Sequence, residues 1–420
     1  MTRPASRGAL VTALLALLVT IPSAGCDSGE DEGIAIRPTP VGVTEAGPGL
    51  GPGARPLSFG PGDKVSPRVS PSSDRVAFVL DGSVVEKPLF ARSFGRRTEG
   101  GFDAERTEWL SEENLAVLGQ ETAGESAETG AGGPTTLFLT RPGDAPGIPP
   151  GLLEISEGVG AVDADPEGEE LFAAAEAPLA NGASPGESSM LLVVRGSGQV
   201  KFYPGAIPGR VTGLSVSPDG RKAVLALAPG ESGETEGRVE LLSYRFPQGP
   251  PRRVALLPEG VEVLGSPQWT SRGIHYVAGD PIEVGKEQND FVLYRVPRGS
   301  ESPERVREVG EGFLPAGICA SPEGDRLAVV GRRSPDSPTN LYILDLASEA
   351  LEAATANEDM EIKTNPRDIT WSPDGSYVVL VARGVLSGPE TYDASAASLS
   401  SAFYNLYRVP VGAPGKSGSG

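Results

Sequence analysis

The stretch Ile369-Thr370-Trp371-Ser372-Pro373-Asp374-Gly375, followed by Tyr377-Val378-Val379-Leu380-Val381, decides the fold. Proline presets φ at the second position of a type I turn, Asp suits the third, and Gly relieves the fourth. Apolar, β-branched residues flank the turn on both sides, so the segment reads as two short strands joined by a tight turn. The same arrangement recurs at Leu214-Ser215-Val216-Ser217-Pro218-Asp219-Gly220 and at Ile318-Cys319-Ala320-Ser321-Pro322-Glu323-Gly324. More divergent copies are Arg68-Val69-Ser70-Pro71-Ser72-Ser73-Asp74 and Val162-Asp163-Ala164-Asp165-Pro166-Glu167-Gly168. The weakest begin at Trp109-Leu110-Ser111 and Trp269-Thr270-Ser271, where the tryptophans fall in the place of Trp371.

Positions equivalent to the turn proline are 71, 111, 166, 218, 271, 322 and 373, with spacings of 40, 55, 52, 53, 51 and 51 residues. A period near 50 accommodates four short strands and their turns, which is one propeller blade. Third strands are expected at Val239–Phe246, Phe291–Val296, Leu341–Leu346 and Phe403–Val409, and a fourth at Arg253–Leu257. The last repeat stops near Gly412, after its third strand, while Arg55–Phe59 stands before the first repeat as an unpaired strand. Pairing the two would close the ring and remove an exposed sheet edge. The expected fold is therefore all-β: a propeller of seven four-stranded blades, closed by an N-terminal strand in the last blade.

The repeat resembles the TolB-type propeller repeat, whose signature is an apolar or Trp residue before Ser-Pro-Asp-Gly and a short apolar strand after it. The resemblance covers residues 55–412. The chain departs from TolB itself, which carries a separate mixed α/β domain before its propeller. Here a linker precedes the first repeat.

Arg3 and Arg7 form a short positive region, and Gly8 to Ile21 is almost wholly apolar. A core of about 14 residues suits a signal peptide rather than a membrane span. Pro22-Ser23-Ala24-Gly25-Cys26 follows and resembles a bacterial lipobox, although Ser23 stands where that motif usually has Leu. This implies that Cys26 is lipidated and becomes the mature N-terminus; the alternative is ordinary cleavage near Gly25 with Cys26 unmodified. The expected organisation is a signal peptide at 1–25, lipidated Cys26 and a disordered tether at 26–54, the TolB-like propeller at 55–412, and a flexible tail at 413–420. The tether begins Asp27-Ser28-Gly29-Glu30-Asp31-Glu32-Gly33, which offers little to a core.

The formal charge of −20 argues against nucleic acid and against adsorption to anionic lipid. The chain has two cysteines, so acylation of Cys26 leaves Cys319 without a disulfide partner. Cys319 lies in the apolar run Ala316-Gly317-Ile318-Cys319-Ala320 and reads as a small core residue.

No stretch reads as a catalytic constellation. His275, the one histidine, sits in an expected second strand, Ile274–Val277, and reads as structural or surface. Gly182-Ala183-Ser184-Pro185-Gly186 has the spacing of a hydrolase elbow but lies in a polar loop, and Pro185 lacks the N–H that an oxyanion hole needs. Asp163-Ala164-Asp165-Pro166-Glu167-Gly168 resembles the start of a calcium loop, but Ala174 stands where its bidentate Glu belongs, and the residues align with the repeat turn. No cofactor and no metal site is expected.

These readings point to a non-catalytic lipoprotein propeller, a monomer on the extracytoplasmic face of a bacterial cell membrane, binding a protein or cell-envelope component. Two alternatives stand beside it: a carboxylate-dependent glycan hydrolase or lyase, and a ligand-sensing accessory of a membrane signalling protein.

Overall fold

The computed structural model describes residues 50, 53–58, 61–90, 95–98, 102–121, 135–140, 152–165, 169–177, 188–203, 205–229, 235–246, 250–279, 291–300, 302–306, 313–358, 360–384 and 403–412. The segments expected as signal peptide (1–25) and, up to residue 49, as tether, the expected lipidation site Cys26, the Gly182–Gly186 motif and the expected tail from residue 413 lie outside these residues.

Seven antiparallel sheets follow one another along the chain, each corresponding to one sequence repeat. Their inner strands are Lys64–Val69, Phe102–Trp109, Val159–Ala164, Val211–Val216, Glu262–Thr270, Leu314–Ala320 and, in the seventh blade, the pair Glu361–Ile362 and Ile369–Trp371. Blade 4 shows the regular plan: Val211–Val216, Lys222–Leu227, Glu240–Arg245 and Arg252–Leu256, each paired with the next. Blade 7 takes its outermost strand from the other end of the chain. Arg55–Pro56 pairs antiparallel with Asn405–Pro410, and the Leu57 amide donates to the Leu406 carbonyl at 2.7 Å. The expected closure is thus present. Leu50 and Ala54, read from the sequence as the end of the tether, are both 3% exposed and packed into the core beneath blade 7.

The turn residues behave as their chemistry requires. The Gly220, Gly324 and Gly375 amides donate to the Ser217, Ser321 and Ser372 carbonyls, closing each turn. Each glycine has φ near +65°, where a side chain would be strained. The turn serine has a second role that residue type alone does not announce. Its hydroxyl accepts the amide five residues on: Lys222 from Ser217, Arg326 from Ser321, Tyr377 from Ser372 and Arg75 from Ser70.

The buried residues divide into seven clusters, one at each interface between adjacent blades. The second strands explain how. Side chains alternate across a strand, so in blade 4 Leu225 and Leu227 pack against blade 3 while Val224 and Ala226 pack against blade 5. A strand apolar on both faces therefore belongs to two interfaces at once, and this is why these runs are continuously hydrophobic rather than alternating.

Candidate functional site: the central channel

The inner strands surround a cavity of about 680 Å³ that draws its lining from all seven blades. Each of these strands departs from regular pairing. Register breaks lie between Val65 and Arg68, Ala104 and Arg106, Val159 and Ala161, Val211 and Gly213, Leu264 and Gln268, and Pro315 and Gly317. In blade 7 the inner strand is interrupted outright by residues 363–368. Such bulges re-aim side chains, and they turn one position of every repeat toward the axis.

That position lies three residues before the turn proline. It holds Arg68, Glu108, Asp163, Ser215, Gln268, Cys319 and Thr370, all polar or sulfur-bearing and all lining the cavity. Several of these side chains also join their blade to the next one. The carboxylate of Asp163 accepts the Val216 amide at 2.7 Å, the Ser215 hydroxyl the Trp269 amide at 3.4 Å, and the Gln268 carbonyl the Ala320 amide at 3.1 Å. The Cys319 sulfur takes the Trp371 amide in the same way. The ring thus has a mechanical use that requires only an acceptor atom.

Charge is confined to one arc of the ring. Glu108 Oε1 receives Arg68 Nε at 2.7 Å and Arg106 Nη2 at 2.8 Å. Burial works to raise the Glu108 pKa, but the two guanidinium groups outweigh it and hold the carboxyl below the usual range. Asp163, on the next blade, has no such partner among the described residues. Burial, reinforced by the negative charge of Glu108, pushes its pKa up to about 7 against the opposing pull of the Val216 amide. Around the rest of the ring, Ser215, Gln268, Cys319 and Thr370 carry no charge at neutral pH; burial raises the Cys319 thiol to about 11.

One end of the channel is crossed by the segment that interrupts the blade 7 inner strand. Asn365 caps a single 3-10 turn, Pro366–Asp368, by accepting the Arg367 amide. From there the segment reaches blade 1 on one side: Asp368 Oδ1 accepts the Ser66 amide at 2.8 Å, and Arg68 Nη1 donates to the Arg367 carbonyl at 3.0 Å. On the other side it fits against blades 5 and 6. A Cβ on Gly265 would stand 2.4 Å from Pro366 Cγ, and one on Gly317 would stand 2.7 Å from the Thr364 carbonyl. The opposite end is rimmed by turn prolines, among them Pro71, Pro218, Pro322 and Pro373.

The residues singled out in the sequence fall as follows. His275 is fully buried in the strand Gly273–Gly279, with Nδ1 3.1 Å from Thr270 Oγ1, and burial lowers its pKa to about 3. Its role is internal, away from the surface. Asp163 faces the channel, whereas Asp165 Oδ1 accepts the Glu169 and Glu170 amides, which builds a turn. Among the described residues, no group of three His, Cys, Asp or Glu side chains is placed to hold a metal. Sequence reading missed the seven-membered ring as a set. Its signal is a column of polar residues between two mostly apolar columns, visible once the repeats are aligned on their prolines.

Sequence comparison adds little: no protein-family description and no curated protein matches the chain. Solved structures resemble it in fold. An oligogalacturonate lyase from Vibrio parahaemolyticus is 13% identical, with a TM-score of 0.53 over 86% of this chain and 93% of its own. A puromycin hydrolase is 17% identical, with a TM-score of 0.52 over 77% of this chain. The match spans 50% of that enzyme's length. A putative TolB from Agrobacterium tumefaciens is 12% identical, with a TM-score of 0.42 over 86% of this chain and 94% of its own. The likenesses to the lyase and the hydrolase concern architecture alone, and the class that the sheet topology defines is the seven-bladed β-propeller.

Proposed function

We propose that the chain is a non-catalytic, TolB-like lipoprotein propeller, anchored through Cys26 on the extracytoplasmic face of a bacterial membrane. It binds a protein or cell-envelope component at the turn-side mouth of the channel. The observation that carries this reading is the cavity itself, large enough for a ligand or an inserted chain segment, lined by polar groups from every blade and crossed at its far end by residues 363–368. The charged groups Arg68, Arg106 and Glu108 bond mainly to one another and to backbone carbonyls, which suits a preformed surface. Photo-crosslinkers placed at Glu323, exposed in a turn beside the mouth, and at Glu352, exposed on an outer strand, test it in membranes. Capture from position 323 and not from 352 supports the reading; equal capture or none from either position overturns it. Cys26→Ser should move the protein from the membrane fraction to the soluble one.

A second reading has one specific observation in its favour. Glu108 and Asp163 are carboxylates on adjacent blades whose pKa values are pushed in opposite directions, an arrangement that acid–base enzymes also use. Turnover of a polysaccharide by the purified protein, abolished in Asp163→Asn with folding intact, would establish the glycan hydrolase or lyase in place of the binding module.

A further inference from the structure

We propose that the channel contains a subsite for an ammonium or guanidinium group, with Asp163 as the ion-pairing carboxylate. The group belongs to a small amine or to a basic side chain of the bound partner. The inference deepens the binding reading above and rests on it.

The argument starts from what the inter-blade link requires. Asp163, Ser215 and Gln268 occupy equivalent positions, and each accepts an amide of the following blade. Two of the three do so without charge, so the link needs an acceptor and nothing more. The carboxylate at position 163 is worse than neutral for the fold, because burial and the neighbouring Glu108 both oppose its ionisation. A neutral amide of the same shape would hold Val216 equally well. The charge is surplus to structure, and groups of that kind concentrate at sites that meet a ligand.

The surroundings select the sign of the ligand. The two arginines of the inner strands are already engaged: Arg68 with Glu108 and the carbonyls of Pro67 and Arg367, and Arg106 with Glu108. Asp163 Oδ2 holds the Val216 amide, while no hydrogen bond to Oδ1 occurs among the described residues. An entering anion would meet Glu108 and Asp163, and the one lining guanidinium not paired with a carboxylate among the described residues, Arg367, belongs to the crossing segment. An entering cation finds an uncommitted carboxylate oxygen, and the remaining ring positions, Ser215, Gln268, Cys319 and Thr370, place no like charge against it. The net charge of −20 draws cations toward the protein from a distance.

The groups that set the Asp163 charge are Glu108 and Arg106 from blade 2, Arg68 from blade 1 and the Val216 amide from blade 4. With its pKa near 7, Asp163 is mostly protonated at pH 6 and mostly ionised at pH 8. A cation stabilises the ionised form. Binding therefore strengthens by about tenfold from pH 6 to pH 8 and releases a proton near pH 6.5.

The test uses the full-length protein, calorimetry, and four probes: n-butylamine, n-butanol, and blocked tripeptides carrying Lys or norleucine at the centre. Wild type should bind an amine in preference to its neutral analogue. Asp163→Asn, which keeps the link to Val216, should fold normally, bind about tenfold or more weakly, and lose the pH dependence. Binding of the lysine peptide alone identifies a partner side chain; binding of butylamine alone identifies a free amine. Equal affinity for amine and neutral analogue, undetectable binding of both amines to wild type at millimolar concentration, or an undiminished affinity in Asp163→Asn overturns the inference. Partner capture from position 323 in any of those cases leaves the binding reading standing, and its absence removes both.

Discussion

Blade 4 is one unbroken stretch of chain, Val211 to Leu256, whereas blade 7 is assembled from residues near both ends and has an inner strand cut in two. The regular blade is specified locally: each strand pairs with the one before it across a short connection. The composite blade depends on contacts between residues hundreds of positions apart, and two places gather them. The outer one is the strand at Arg55–Pro56. The inner one is the crossing segment, whose Asp368 is 1% exposed and bonded to Ser66 of blade 1. A ring of seven similar interfaces therefore has one seam that differs in kind, fastened at its rim and at its axis.

The largest expected effect comes from opening the rim. Deleting residues 27–49 should leave urea stability nearly unchanged, whereas deleting 27–62 should lower it by about 5 kcal/mol or more, because it exposes a sheet edge and removes Leu50, Ala54 and Leu57 from the core they fill. Equal midpoints for the two truncations would erase the distinction between the seam and the other blades.

Away from the seam, His275 of blade 5 and Asp163 of blade 3 act in opposite senses in acid, and substitution isolates the first. His275 is buried neutral, so the unfolded chain binds a proton there that the folded chain refuses. Stability is then lost as pH falls below the ordinary histidine value of 6.5 toward about 3. That loss should reach roughly 3 kcal/mol between pH 7 and pH 4. His275→Gln should gain that amount relative to wild type over the same range; a difference between the two proteins that does not change with pH would remove His275 as a contributor.

At the axis, Asp368→Ala should cost about 1–3 kcal/mol by leaving the buried Ser66 amide without its acceptor, and Asp368→Asn should restore most of it. Chemical denaturation of the three proteins decides the point.

The finest comparison pits two tryptophans in equivalent places. Trp371 Nε1 donates to the Cys319 carbonyl at 2.9 Å across the interface of blades 6 and 7, while Trp269 Nε1 is buried without an acceptor between blades 4 and 5. Both rings lie under a basic side chain of the preceding blade, Arg326 and Lys222. Replacement by Phe should therefore cost about 1 kcal/mol more at position 371 than at 269. Equal losses in melting experiments would mean that ring area alone matters at both interfaces.

Much of this architecture was legible because turn chemistry is local. Pro373, Asp374 and Gly375 declare a turn without reference to the rest of the molecule, and six further positions repeat the declaration. The closing strand followed from counting: a last blade one strand short and an unpaired strand at Arg55. The channel was less accessible. Alternation along a regular strand would indicate which residues face the axis, but every inner strand breaks register just there. The pairing of Arg68 and Arg106 on Glu108 joins two blades at a distance that no spacing rule anticipates. The crossing segment left a faint mark, the turn signal Asn365-Pro366 just ahead of the strand expected at Ile369. Its destination depends on Gly265 and Gly317 leaving room on the far wall.

The outer fastening has a consequence for how the chain comes to be made. Ser58 and Leu406, joined by a hydrogen bond in the finished ring, are 348 positions apart. During synthesis the strand at Arg55 is the earliest part of the propeller to emerge, and its partner at Asn405–Pro410 is the latest. Six blades can assemble in order while the first-made strand waits, because each of them needs only its immediate neighbours. The last closure is slow in proportion to the loop it seals, and until then two sheet edges stay open to other chains. A nascent chain released a few dozen residues early would be almost complete in its blades and wholly lacking in its seal, so its fate would rest with whatever chaperone shields an unfinished edge.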